Sequence, residues 1–361
     1  MDNIILGLDI GGANTKAALT EYSNSIPINS YSYIEYFPFW EQTINDITAM
    51  LGRIINELVE KNSYSMENID KIAVAITAEL SDAFQTKKEG ILTILNALEQ
   101  VFEIQKLVFI CNESRFLNFK QAKELYILTA AANWVSTALF LGKFVPNCIL
   151  IDAGSTTVDV IPILNSIPVT TGKTDIERML NHELIYTGGL RATIPSITHF
   201  VPYKGKMVRI SFEKFALISD VHRILNNIRE EEYINDTADN RSISLDDCYA
   251  RLSRIICMDI DTITKEELNN IAQYIYKEQK NIIKTELSLF IEELLRRFTE
   301  FRNSPHFIIT GLSAEFLIKN SLLELGFDNI SSYEFITKIP DNISSSAFAV
   351  AGAYYFQSIE N

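Results

Sequence analysis

The sequence predicts an α/β fold of two duplicated lobes around a central cleft, and three observations carry that expectation. Short apolar runs of strand length alternate with stretches of helical spacing. A strand–turn–strand pattern at the N-terminus recurs half a chain later. In each copy an aspartate ends the first strand and small residues fill the turn that follows.

Along the chain, IILGLDI is a buried strand running into the turn at Gly11-Gly12, with AALTEY as the returning strand and YSYIEYFPF as a third. From Ile44 to Lys61 the spacing is helical, with Ile44, Ile47, Leu51, Ile54, Ile55 and Leu58 on one face. KIAVAIT and KLVFICN are further buried strands, and a long helix is expected from about Asn118 to Lys143. NCILIDAGSTTVDVIPI is the second hairpin. The stretch 172–259 is irregular, with EEEYINDTADNRS its most loop-like part. Thr264 and Glu267 form a capping box that opens an amphipathic helix, whose apolar stripe includes Leu268, Ile271, Ile275, Ile282 and Leu287. HFIITGLSAEFL reads as strand, turn and helix, and SSSAFAVAGAYYF as a closing helix of small residues. The expected division is a first lobe over 1–145, with the helix 343–357 packed back on it, and a second lobe over 146–342 carrying the insertion 172–259.

Composition narrows the function. A net charge of −14 without a basic cluster excludes a nucleic-acid footprint. An anion site must then be built locally from backbone N–H groups and a few cations. Cys111, Cys148, Cys248 and Cys257 are widely spaced and read as reduced core thiols. The apolar stretch 125–141 contains Asn133 and reads as a buried helix, with Trp134 in the core. With no basic leader, a cytoplasmic protein that does not enter a membrane is expected. His182, His199, His222 and His306 lack metal-ligand spacing and are expected on the surface or satisfied in the core; Lys87 and Lys88 read as solvated.

The repeat carries the chemistry. Asp9-Ile10-Gly11-Gly12-Ala13-Asn14-Thr15-Lys16 aligns with Asp152-Ala153-Gly154-Ser155-Thr156-Thr157-Val158-Asp159 as D-x-G-[GS]-x-[NT]. Such turns gather N–H groups into an anion-binding nest. Gly11, Gly12 and Gly154 are expected to supply positive φ or close backbone approach. Asn14, Thr15, Ser155, Thr156 and Thr157 would add donors, and Lys16 a charge. Asp9 and Asp152 either close their turns or hold a hydrated Mg²⁺ against phosphate oxygens. Gly311 either seats a flat ring or makes a tight turn.

These residues resemble the two phosphate motifs, and I-I-T-G-L-S the adenosine motif, of the actin-like ATPase and sugar-kinase superfamily, whose core is ribonuclease H-like. More narrowly the chain is similar to the hydantoinase A/oxoprolinase group, in its archaeal and methylotroph branch associated with one-carbon cofactors. T-A-E-L-S-D-A-F-Q-T-K-K-E-G (77–90), A-A-N-W-V-S-T-A (131–138), D-A-G-S-T-T-V-D-V-I-P-I (152–163), G-K-T-D-I-E-R-M-L (172–180), H-E-L-I-Y-T-G-G-L-R-A-T (182–193) and D-T-A-D-N-R (236–241) carry that likeness. Lys173, His182 and Ala192-Thr193 depart from the family's usual His, Gly and Thr-Pro.

The resemblance implies a step of methanofuran biosynthesis. The phenol of γ-glutamyltyramine would join an aminomethylfuran-methyl diphosphate, a small-molecule substrate, with release of diphosphate. Mg²⁺ is expected from the paired aspartates, and ATP stays open. In that reading Lys16 and the turns hold the diphosphate, Asp159 or Asp175 is the general base, and Arg178 and Arg191 bind the glutamyl carboxylate or form ion pairs. Two other readings stand beside it: an ATP-dependent kinase or amide-activating enzyme, and a non-catalytic nucleotide-binding protein.

Overall fold

The computed structural model describes residues 3–24, 26–339 and 345–360. The apolar N-terminus forms β1 (Asn3–Gly11), β2 (Asn14–Ser23) and β3 (Ile26–Tyr36). The third strand therefore starts and ends earlier than its aromatic pattern suggests, because Phe37 and Phe39 turn their N–H groups elsewhere. The helix α1 (Ile44–Ile55) starts at a capping box of Thr43 and Asp46 and continues as one wider turn over Asn56–Glu60. Next come β4 (Lys71–Thr77), α2 (Lys87–Val101), β5 (Leu107–Ile110) and β6 (Phe116–Asn118).

The expected helix over 118–143 is instead three pieces: α3 (Phe119–Glu124), α4 (Tyr126–Thr129) and α5 (Asn133–Gly142). The break between α4 and α5 has a hydrogen-bonding cause. Leu128 accepts from the N–H of Asn112 at 2.9 Å, and Ala131, at φ +47°, donates to Ile76 at 3.0 Å. The segment spends its backbone groups on strand ends rather than on a helix.

The second hairpin is β7 (Cys148–Ala153) and β8 (Val158–Leu164), followed by β9 (Ile167–Pro168), α6 (Asp175–Leu180) and β10 (Leu184–Ile185). Within 172–259 the chain builds β11 (Phe200–Tyr203), β12 (Lys206–Arg209), α7 (Ile218–Ile224) and α8 (Leu245–Arg254). The capping box at Thr264 opens α9 (Lys265–Arg297), as read. Ile283, one residue on from the expected Ile282, completes its buried stripe. Then follow β13 (Phe307–Thr310), α10 (Asn320–Glu324), β14 (Ile330–Ser332), α11 (Tyr333–Thr337) and α12 (Ser345–Glu360). Residues 343 and 344 of the expected closing helix lie outside the described residues.

The two sheets repeat one plan. The first has the order β3-β2-β1-β4-β5-β6 and the second β10-β8-β7-β13-β14, with β9 added to β8. In both, the strand before the turn lies between its returning partner and a parallel strand, β4 beside β1 and β13 beside β7. The duplication read from two short motifs extends to whole sheets.

The chain forms two compact units. Met1–Cys148, Ile161–Arg178 and Tyr333–Asn361 make one; Ile149–Val160 and Met179–Ser332 make the other. In the first, alternation along β1 sends Leu6, Leu8 and Ile10 into the core shared with α1 and α2. The opposite face meets α12, and Gly7 lacks a side chain because a Cβ would collide with the carbonyl of Ala347.

In the second unit, Leu268, Ile271 and Ile275 of α9 pack with Val221 of α7 and Leu252 of α8. The loop expected at 230–242 is tied down there by a buried ion pair. Arg251 and Asp220 are both fully buried, with Arg251 Nε donating to Asp220 at 2.8 Å. Asp239 accepts from Arg251 at 3.1 Å and from Arg254 at 2.9 Å. Of the cysteines, Cys257 is exposed and the other three are buried. Among the described residues no helix is long and apolar enough to cross a membrane.

Candidate functional site

Both turns show the same construction. In the first unit the carbonyls of Ala13 and Gly12 accept from the N–H groups of Phe37 (2.9 Å) and Phe39 (3.0 Å). In the second unit Gly154 O accepts from Gly189 (2.9 Å), Thr156 O from Gly188 (2.9 Å), and Ser155 O from both Leu190 and Arg191 (3.0 Å each). Thr157 O takes the N–H of Gly154 at 3.0 Å. Carbonyls satisfied in this way are directed into the protein, which suits a turn that offers its amide side to an anion.

Of the three turn glycines, Gly11 alone is required by close approach, and none by φ. None of Gly11, Gly12 and Gly154 has a positive φ, contrary to the sequence expectation. A Cβ on Gly11 would lie 2.7 Å from the Asn14 carbonyl. In the second turn the tight contact falls on Gly188, whose Cβ would lie 2.6 Å from Ser155 C and Thr156 N. Gly154 itself is roomy, with only Thr157 O at 3.7 Å. Gly311 does adopt φ +92°, and a Cβ there would meet Ala153 O at 2.5 Å and Asp152 Oδ1 at 2.8 Å. Its bareness makes room for Asp152.

Around the first turn, Asp9 stands directly across from Lys16 in the β1–β2 ladder, which places both on one face. Asp9 is buried and accepts from Ser346 Oγ of α12, with Thr77 Oγ1 at 3.5 Å. Lys16 and Asn14 are half-buried, and Thr15, between them, turns to the other face and is fully buried. Around the second turn, Asp152 and Asp159 are half-buried, as are Ser155, Thr156 and Thr157, and the two hydroxyls of Ser155 and Thr156 lie 3.5 Å apart. Arg191 reaches this turn through its backbone.

A buried polar chain supports the second turn from behind. Gln279 of α9 donates to Thr187 Oγ1 (3.1 Å) and to Gly188 O (3.0 Å), and its own carbonyl lies 2.9 Å from His222 Nε2. His222 Nδ1 is 3.1 Å from Asn227 Nδ2. With both amide hydrogens of Gln279 committed, its oxygen must accept, so His222 carries its proton on Nε2 and accepts at Nδ1. Burial holds the ring neutral by pushing its pKa down to about 3. The sequence offered one signal here: a glutamine at a stripe position of α9, between Ile275 and Ile283.

The other expected residues sit apart from the turns' backbone. Arg178 is buried in the first unit, its guanidinium 4.4 Å from the centre of the Trp134 ring, and Trp134 is core. Asp175 accepts from Lys87 Nζ at 3.1 Å. Lys87 is therefore not a solvated lysine: its side chain is 28% exposed and Glu79 Oε1 lies 4.0 Å from its ammonium. Glu79 is 1% exposed, and burial raises its pKa to about 7. Glu79 was missed. Yet it follows an apolar parallel strand, the placement that singled out Asp9 and Asp152, and ligands of α/β sheets gather at such strand ends.

For Mg²⁺ the donor chemistry fits. In the first unit Asp9 accepts from Ser346 Oγ and has Thr77 Oγ1 at 3.5 Å, which leaves lone pairs for a metal's water; in the second unit Asp152, taken by itself, is also a hard oxygen donor. Among the described residues no three His, Cys, Asp or Glu side chains cluster as a self-sufficient metal cage. Mg²⁺ shared with a phosphate needs only one or two carboxylates.

Comparison with known proteins gives the family and the fold. A synthase from Methanocaldococcus jannaschii, named (4-{4-[2-(gamma-L-glutamylamino)ethyl]phenoxymethyl}furan-2-yl)methanamine synthase, is 34% identical over 352 residues, 97% of each chain. A Methanococcus vannielii protein of the same name is 36% identical over 183 residues, 51% of this chain and 78% of its own. The nucleotide-free structure of acetone carboxylase covers 97% of this chain and 70% of its own at TM-score 0.55 and 10% identity, a likeness of fold alone. The fold is of the actin-like ATPase class. Residues 70–357 match hydantoinase/oxoprolinase, and the chain belongs to that family.

Proposed function

We propose that this protein is a transferase of methanofuran biosynthesis that forms the phenoxymethyl ether between γ-glutamyltyramine and an aminomethylfuran-methyl diphosphate. The observation that carries this is the 34% identity to the jannaschii synthase across 97% of both chains.

The chemistry follows from the substrates. The furan oxygen feeds electron density to the CH₂ as its bond to the diphosphate oxygen breaks, and the electron pair leaves with diphosphate. The phenol oxygen attacks that carbon and loses its proton. Catalysis then consists of receiving the charge on the diphosphate and holding the phenol in line. For the first task, the turn at Gly12 in the first unit offers N–H groups and Asn14, and the turn at Ser155 in the second unit, taken by itself, offers N–H groups and hydroxyls. Lys16 adds a cation that forms no ion pair among the described residues. Asp9 in the first unit and Asp152 in the second are each a carboxylate that would suit Mg²⁺, which when bound would neutralise diphosphate charge. For the second task Asp175, partly exposed beside Lys87, is the carboxylate that accepts the phenol proton and passes it to water. A positioned base contributes about 10²–10⁴-fold. Arg191, held at the second turn, is the candidate for the glutamyl carboxylate; buried Arg178 is placed to order Trp134 and α6.

Mass spectrometry of the products with and without ATP, on wild type and Asp152→Asn, tests this. Ether and diphosphate without ATP are expected from wild type, with at least a hundredfold loss in the variant. ADP formation as a condition of turnover would replace this reading with an ATP-dependent one. An unimpaired Asp152→Asn would remove the metal role.

A further inference from the structure

We propose that Lys87, beside the base Asp175, is the cation of the first unit that contacts the phenol oxygen of the acceptor, with Glu79 as a positioning residue acting through it. This rests on the reading that the acceptor is a phenol.

Three stretches of chain converge on this lysine. Lys87 is the first residue of α2, whose N-cap Thr86 accepts from Glu89 N at 3.1 Å. One turn later, a Cβ on Gly90 would lie 2.8 Å from both Glu79 Cα and the Phe84 ring, so α2 is seated directly on the Glu79 backbone. Asp175, at the start of α6, reaches Lys87 from the third stretch, and Asn112 Nδ2 steadies the approach to α6 by donating to Lys173 O at 3.3 Å. The stem of Lys87 is fixed at its base and its ammonium is held from two sides.

Glu79 is the unusual member. Its Oε2 is buried and has no hydrogen-bond partner among the described residues. An unsatisfied buried polar atom costs about 1–3 kcal/mol, and its retention calls for a reason. Burial raises its pKa; its own N–H and that of Ala131 lower it, as does Lys87, while Asp175 raises it. Lys87 from α2 and Asp175 from α6 are the charged groups that face it.

The charge of the cluster decides what it takes. One ammonium flanked by two carboxylates has room for a single acceptor oxygen, which disfavours diphosphate or a free carboxylate with several charged oxygens to satisfy. A phenol is uncharged until its proton leaves, and then has a single oxygen that an ammonium can meet. The residues after the two acids, Leu80 and Ile176, are aliphatic and 57% and 60% exposed, which suits the ring that carries this oxygen.

The test uses a probe whose ionisation is visible. N-γ-glutamyl-tyramine nitrated beside its hydroxyl is titrated by absorbance, free and bound to wild type, Lys87→Ala and Glu79→Gln. The bound nitrophenol is expected to ionise at lower pH than the free one in wild type, and this shift is expected to vanish in Lys87→Ala. In turnover, Lys87→Ala is expected to lower kcat about 10²-fold, with KM for the furan diphosphate within twofold. Wild-type kcat/KM is expected to rise through pH 7, as ionised Glu79 fixes the ammonium, and Glu79→Gln to lose that rise. An unchanged nitrophenol shift in Lys87→Ala overturns the inference while leaving the ether reaction standing. Failure of wild type to bind the probe or to form ether overturns the phenol reading and this inference with it.

Discussion

Glu79→Gln isolates the electrostatic strain in the first unit. Glu79 moves from an ordinary value of 4.5 to about 7 on folding, mainly because burial penalises its charged form. Between those values the folded chain holds a proton that the unfolded chain has lost. Stability from this group is therefore fully present below pH 4.5 and is lost as the pH rises through 7. Linkage over pH 5 to 8 gives a loss of about 2–3 kcal/mol. Glutamine has nearly the same shape and cannot ionise, so the variant escapes that loss. Relative to wild type, the variant should gain stability steadily with pH. Thermal unfolding of both proteins at pH 5, 6, 7 and 8 reads this, since most other titrations cancel in the difference. For a unit of this size the gain corresponds to a rise of roughly 5–10 °C in relative Tm across the range. A difference independent of pH would show that Glu79 ionises normally in the folded protein, and the reasoning would fail.

Other perturbations address the second unit. Arg251→Met strands Asp220 without its guanidinium and should cost about 3–5 kcal/mol in denaturant unfolding; a cost below 1 would mean that water enters the site. Gly188→Ala forces Ser155 and Thr156 to move and should lower kcat/KM by at least tenfold, read in the ether assay; wild-type rates would show that this turn does not position substrate. Gln279→Leu removes donors to Thr187 and Gly188 and leaves His222 facing an apolar group. A stability loss of about 1–3 kcal/mol, with faster amide exchange at 188–191, is expected; unchanged exchange would separate α9 from the second turn.

Much of the architecture was legible because it rests on strong local signals. Apolar runs marked β1, β4, β7 and β13, and Thr264 with Glu267 fixed the start of α9. The repeat of aspartate, glycine and small residues identified both turns before any sheet was known. What stayed hidden depends on groups distant in sequence. The break around 128–131 comes from backbone bonds to Asn112 and Ile76, which no helical periodicity can report. Positive φ within the second turn was expected, yet that turn is shaped by Gly188 pressing on it, more than thirty positions away in sequence. Lys87 read as solvated since its partners, Glu79 and Asp175, lie on other elements. The polar stretch 230–242 read as loop for a related reason: the Arg251 that orders it lies on the following helix.

The central claim is that the phenol oxygen attacks the furfuryl carbon and diphosphate departs intact. Turnover with γ-glutamyltyramine labelled with ¹⁸O in the phenol, without ATP, measures it directly. All of the label is expected in the ether, with unlabelled diphosphate released one to one. Label in phosphate, or no ether at all, would contradict the account.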